Sequence, residues 1–346
     1  LSSDRTANSL LIMACLVVII AGLKAAQDLL VPFLMAVFIA IILGPLEGWL
    51  QKKKVPTWAA LLLIIGGISI LGLLAGVLLG ASINDFSGNL PGYEAKIQAK
   101  TAGLAELLRK FGLKVTQKEI LRYVDPGAAM SLAGNLLTSL GSLLSNTFLI
   151  LLTVVFILLE ASTFPAKLSR VLGPRSKMFG NVELFIGKIN RYMVIKTWTS
   201  LATGVLAALW LAILGVDYAL LWGLLAFLFN YVPNIGSIIA AVPPLLLALV
   251  QLGATPALLA GVGYLVINLV IGNVLEPKFM GRGLGLSTLV VFVSLIFWGW
   301  VLGPVGMLLS VPLTMTVKVG LANSEETAWL DSLLGDSTAG SGKGGN

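Results

Sequence analysis

Apolar residues in this chain come in long uninterrupted blocks. Residues 11–22, 59–79 and 284–317 contain no charged side chain. A core helix of a soluble protein shows one apolar stripe and one polar face. These blocks lack the polar face, and a bilayer span needs about 20 mostly apolar residues. The pattern therefore predicts membrane helices. The first two spans, 10–22 and 29–46, form a hairpin with its turn near 24–32, and Pro32 falls in a first helical turn, where its missing N–H costs nothing. A third span covers 59–80, a fourth 147–159 and a fifth 197–215. A sixth begins at 218–229, breaks at 230–237 and resumes through Pro243 and Pro244 to Val250. Another covers 253–271. As one helix, block 284–317 would be about 50 Å long, against a hydrocarbon core of about 30 Å. It is expected to fold back as a hairpin with its tip at 299–306. Its tip, with Gly303, Pro304 and Gly306, is expected to form part of the solute path as a re-entrant pair, with Trp298 and Trp300 stacked in a cavity. The alternative is a full hairpin that the two tryptophans anchor at the outer interface, with no transport role.

The polar segments between the blocks set an expected topology. Lys52, Lys53 and Lys54 lie between Trp49 and Trp58, as in a cytoplasmic interface loop, which places the N-terminus inside. Lys24 and Asp28 are spaced to pair on one helix face or to sit separately at the headgroups. Residues 82–145 read as a small extracytoplasmic helical segment, with Gly112 as a stop, Thr116 and Glu119 as a capping box, and Asp125–Pro126 as a second start. After Glu160 comes a basic run of Lys167, Arg170, Arg175, Lys177, Lys188, Arg191 and Lys196. With Val182, Phe185, Ile186, Ile189 and Met193 at helical spacing, it predicts a cytoplasmic amphipathic helix at about 164–196. The fold class is thus all-α, a polytopic membrane protein of about eight spans with broken or re-entrant helices. The expected division is 1–81 as an N-terminal three-span segment, 82–145 outside, 146–320 as the transport region and 321–346 as a polar tail.

Composition agrees. Of 346 residues, 57% are hydrophobic and 11% charged, against roughly 25% charged in soluble domains. Too few polar residues remain to cover a soluble surface. The net charge of +7 invites nucleic acid as a partner, but the basic residues flank the spans, where membrane lipid and topology account for them. The chain has no histidine. Ser-His-Asp and Cys-His chemistry are impossible, and a four-ligand zinc site is unavailable. Cys15 stands alone as a small apolar filler. No phosphate-binding loop of the form G-x-x-x-x-G-K-[ST] occurs. No catalytic residue, cofactor or metal is expected, and a channel or secondary transporter remains.

A break within hydrocarbon leaves backbone groups unpaired, at several kcal/mol each if they face lipid. Two places in the chain qualify. One is 230–237, with Asn230, Pro233, Asn234 and Gly236. The other holds Gly303, Pro304 and Gly306. Paired broken helices are one way to build a transport site, and both places also suit an ordinary interface turn. Glu276 is an acid at a membrane edge. It either serves the solute path or ends a helix by pairing with Lys278 or Arg282. Asn268 and Asn273 either meet a solute or join helices. Asn230, Asn234 and Asn268 offer donors and acceptors to a hydroxyl-bearing solute. Lys196 reads as an interface residue. A scaffold without transport would have no use for two breaks in hydrocarbon.

Three stretches carry a resemblance: Phe229-Asn-Tyr-Val-Pro-Asn-Ile-Gly-Ser237, Glu276-Pro-Lys-Phe-Met-Gly-Arg-Gly-Leu-Gly-Leu-Ser287, and the run from Phe297 through Gly303, Pro304 and Gly306 to Pro312. With them the chain resembles the autoinducer-2 exporter family over nearly its whole length. The resemblance implies a multi-pass transporter of the bacterial inner membrane without its own ATPase, assembled as a homo-oligomer, with pentamers proposed. It implies transport of the quorum-sensing signal autoinducer-2. The alternative cargo is a monovalent cation exchanged for protons, as described for some relatives, with Glu276 as the main acidic candidate. By matching motifs, Pro233, Asn234 and Gly236, then Glu276, Pro277 and Gly281, then Gly303, Pro304, Gly306 and Pro312 carry the family pattern.

Overall fold

The computed structural model describes residues 2–110, 147–161, 164, 167, 170, 177–233, 235–280 and 286–322. The expected caps at Thr116, Glu119 and Asp125, the stop at Gly112, and the residues Asn234, Gly281 and Arg282 lie outside them. The described elements are helices: α1 (Ser2–Ala25), α2 (Gln27–Lys52), α3 (Thr57–Lys110), α4 (Thr147–Ala161), α5 (Lys177–Leu214), α6 (Ala219–Phe229), α7 (Gly236–Gln251), α8 (Ala254–Asn268), a π-helical segment (Leu269–Leu275), α9 (Glu276–Met280) and α10 (Thr288–Ala322). The chain is an all-α polytopic membrane protein. By length and composition alone, five helical stretches among the described residues could cross a bilayer, Gln27–Lys52, Thr57–Leu74, Ile186–Leu214, Ala254–Phe279 and Thr288–Leu321, the last of them kinked at Gly303, and four shorter apolar helices accompany them. Large apolar side chains stand exposed along them, among them Val18, Leu73, Leu265 and Leu289 at 70–71%. Such surface suits lipid and would be an aggregation liability in water.

Two long helices run through places where a change of character suggested an end. α3 continues past residue 81 to Lys110, and α5 continues through Lys196 and Thr197 without a stop. The switch from apolar to polar sequence changes the surroundings of a helix but not its backbone. Neither change of character coincides with a proline that would interrupt the i→i−4 ladder, and Pro91, ten residues further along, is accommodated inside α3. The amphipathic stretch that ends at Lys196 is therefore continuous with the span that follows it.

The helices group into two compact units. The first comprises Leu1–Ile65, Phe148–Val194 and Arg282–Asn346. In it α1 and α2 are separated by one residue, Ala26 at φ −90° and ψ 11°. Pro32 consequently lies inside α2 rather than in its first turn, and Pro45 lies inside it too. Lys24 does not pair with Asp28; its ammonium sits 3.8 Å from the centre of the Trp300 ring, where the ring's negative face attracts a cation.

α10 is a folded-back pair of arms. Gly303 has φ 67° and ψ −153°, a conformation essentially confined to glycine, and Pro304 follows it. Across the turn Trp298 Nε1 donates to Thr314 Oγ1 at 3.1 Å. Gly306 lies so close to the Trp298 carbonyl that a Cβ there would collide with it. The first arm, Thr288 to Leu302, is about 22 Å long at 1.5 Å per residue, shorter than the hydrocarbon core of about 30 Å.

The second unit comprises Gly66–Thr147 and Ile195–Gly281. It contains a matching device. α6 and α7 are joined by a tight turn, and Gly236, the first residue of α7, abuts the Phe229 carbonyl that closes α6. Both Pro/Gly breaks are thus hairpin turns in which a glycine lets the returning arm approach the departing one. The polar half of α3 is tied to the start of this hairpin. Tyr93 donates to Asp217 at 3.0 Å, Asn89 donates to the Tyr218 hydroxyl at 3.0 Å, and the buried Phe86 ring stands edge-on to Tyr218 and Trp222, each at 6.0 Å.

Candidate functional site

The membrane-spanning part of α5 carries a buried polar stripe. Lys196, Thr199, Ser200 and Thr203 are all buried, and their spacing places them on one helix face. The two threonines satisfy themselves locally: Thr199 Oγ1 donates to the Lys196 carbonyl at 3.1 Å and Thr203 Oγ1 to the Thr199 carbonyl at 2.9 Å. Lys196 and Ser200 reach other elements.

Ser200 meets the α6–α7 hairpin. Asn230, directly after α6, donates from Nδ2 to Ser200 Oγ at 3.0 Å. The next residue, Tyr231, donates its hydroxyl to Thr197 Oγ1 at 2.9 Å. α5 and α6 come close because both are glycines at their crossing: a Cβ on Gly204 would lie 2.7 Å from the Gly223 carbonyl oxygen. This small-residue contact is how membrane helices bring their backbones together.

Lys196 meets the end of the α8 span. Its ammonium donates to Glu276 Oε1 at 2.6 Å. Glu276 follows the π-helical segment Leu269–Leu275. Such widened turns recur at functional sites and change which face the following side chains present. The side chains of Lys196 and Glu276 are only 6% and 15% exposed. Either charge alone would be costly in hydrocarbon; a short charge-assisted hydrogen bond offsets much of that cost.

Asn230 and Glu276, both expected from the sequence, are thus brought onto the same helix, α5. Glu276 bonds Lys196, eighty positions away in the chain, and not the nearby Lys278 suggested by sequence. Lys196 is a buried ion-pair partner. Pro233 is half-buried in the turn, and Gly236 is buried at the start of α7. Asn268 is half-buried immediately before the π segment and makes no hydrogen bond to the cluster among the described residues; Asn273 is exposed. Gly303, Pro304 and Gly306 belong to the first unit and form the α10 turn. Sequence reasoning missed Thr197, Ser200, Thr203 and Tyr231. The available clue was a polar i, i+4, i+7 series inside an apolar run.

Two further features lie in the first unit. Glu47 is a buried carboxylate on α2 that accepts from Gln51 Nε2 at 2.9 Å. A cavity of about 320 Å³ opens between the α10 arms, lined by Leu289, Val293, Phe297, Trp298, Thr314 and Val317 among others. Its walls suit hydrocarbon rather than a polar solute. Among the described residues no three Cys, Asp or Glu side chains are grouped to hold a metal ion.

Comparison with known proteins places these residues in context. The family model described as "AI-2E family transporter" matches residues 13–325. The chain is 46% identical over 318 residues to the AI-2 transport protein TqsA of Escherichia coli K12, covering 92% of each. It is 40% identical over 335 residues to a putative transport protein of Haemophilus influenzae, covering 95% of this chain and 96% of that one. A putative transport protein of Escherichia coli K12, YhhT, is 40% identical over 334 residues, with 96% and 95% covered.

Proposed function

Since the chain belongs to the AI-2E family of transporters, we propose that it exports a small, uncharged, hydroxyl-rich signal of the autoinducer-2 type across the bacterial inner membrane, and that the solute is held by the polar cluster on α5. The observation that carries this reading is the joining of Lys196, Ser200 and Thr197 to Glu276, Asn230 and Tyr231 within membrane-spanning sequence. The hydroxyls and the amide offer both donors and acceptors, which a solute bearing several hydroxyls needs. The cluster lies where one helix is interrupted by the α6–α7 turn and another by a π segment, and interrupted helices are where membrane proteins place solute sites. The sequence carries no loop of the form G-x-x-x-x-G-K-[ST], which favours secondary transport over ATP-driven transport by this chain. A bacterial inner-membrane location, a cytoplasmic N-terminus and assembly as a homo-oligomer, a pentamer by family resemblance, belong to the same proposal. The relatives named above are bacterial, and the lysines at 52–54 favour that orientation.

Exchange of sodium or lithium for protons has weaker support, because the carboxylate it would use, Glu276, is already occupied by Lys196. Deleting the gene should raise intracellular autoinducer-2, and purified protein in liposomes should carry the signal across. Equal flux across empty and protein-bearing liposomes would refute the cargo. Labelling of single cysteines at Lys100 and Lys177 with an impermeant reagent, in a Cys15-free background, tests the orientation; equal labelling in intact cells would contradict it.

A further inference from the structure

We infer that Lys196 is a specificity-determining residue that acts as a built-in counter-ion: by occupying Glu276 it makes the site neutral and keeps monovalent cations out. The inference rests on the reading of the α5 cluster as the solute site. Its basis is geometric. The ammonium lies 2.6 Å from the carboxylate, and the two side chains are 6% and 15% exposed. A cation entering this place would find the Glu276 carboxylate already paired. A neutral solute with adjacent hydroxyls meets no such obstacle. One hydroxyl can donate to Glu276 while another accepts from Lys196, so that the pair is bridged rather than broken. The remaining partners, Ser200, Asn230 and Tyr231, carry no charge and do not change the balance.

Removing the lysine charge leaves the Glu276 carboxylate, only 15% exposed, without its cation, and a carboxylate is an oxygen donor of the kind that hard cations accept. The Lys196→Gln variant should therefore gain a cation site that the parent protein lacks. Purified full-length protein is melted at pH 8.5 in NaCl or LiCl and in choline chloride at equal ionic strength. Lys196→Gln should melt about 3–6 °C higher in saturating Na⁺ or Li⁺ than in choline. The parent protein, Lys196→Arg and the double variant Lys196→Gln/Glu276→Gln should show no difference. The mirror variant Glu276→Gln leaves a lone ammonium and should be stabilised by chloride relative to gluconate, which keeps the inference testable if Lys196→Gln does not fold. No Na⁺ or Li⁺ effect on Lys196→Gln, as when the freed carboxylate simply takes a proton, overturns the inference. So does an equal effect on the parent protein, or, if only the mirror variant folds, the lack of a chloride effect. These readouts do not involve signal transport. A cation gain without signal flux would uphold the counter-ion role and remove the cargo; signal flux without a cation gain would do the reverse.

Discussion

The indole of Trp298 donates to the hydroxyl of Thr314 at 3.1 Å, joining two arms of α10 that are sixteen positions apart in sequence. The bond closes the hairpin between a residue little more than one helical turn before Gly303 and one about three turns after it. Trp298→Phe keeps most of the ring packing and removes the donor. A hydrogen bond between membrane helices contributes about 0.5–1 kcal/mol. The variant should melt a few degrees lower while keeping its transport rate. A thermal melt in detergent together with a liposome flux assay checks both, and a loss of flux at unchanged stability would place the hairpin in the solute path.

Gly303 is the strained point of that hairpin, at φ 67° and ψ −153°. Any side chain there must leave a conformation that only glycine adopts readily, at about 1–3 kcal/mol. Gly303→Ala should lower the melting temperature measurably. Gly320 lies in the second arm with open space around its would-be Cβ, so Gly320→Ala should be neutral or mildly stabilising. Equal destabilisation by the two substitutions would contradict the turn geometry.

The hairpin was legible in the sequence and the ion pair was not. The length of block 284–317 and the Gly303–Pro304 pair required a fold-back, because a straight helix would exceed the bilayer. The break at 230–237 was legible for a similar reason: Asn, Pro and Gly interrupt an apolar run. Lys196 is different. It ends a run of basic residues, and the same charge pattern serves an interface helix or the start of a buried stripe. Only the continuity of α5 beyond it, and the arrival of Glu276 from a distant helix, separate the two. The π segment before Glu276 also leaves no mark in composition, since Leu269–Leu275 is apolar like its neighbours.

Tyr93 gives a pH test outside the membrane-spanning segments. Burial raises the pKa of its hydroxyl above the ordinary tyrosine value, and the hydrogen bond to Asp217 with its negative charge pushes the same way. The folded protein therefore holds the proton more tightly than the unfolded chain. The associated stability is fully present below about pH 10, the unfolded value, and is lost as pH rises beyond it. The melting temperature should fall with alkaline pH from that point. Tyr93→Phe should make the fall shallower, and an unchanged slope would show that the Tyr93–Asp217 contact does not report on folding.

The central claim is that the polar cluster on α5 holds the transported solute. Its most direct test is initial flux of autoinducer-2 into or out of liposomes carrying the parent protein or Asn230→Leu, which removes the amide that meets Ser200 at 3.0 Å and nearly preserves volume. Losing a solute contact of about 1.4 kcal/mol corresponds to a tenfold effect. The account predicts that Asn230→Leu inserts and folds yet carries the signal about tenfold more slowly, or needs about tenfold more of it. Parent-like flux from folded Asn230→Leu at every concentration would contradict it.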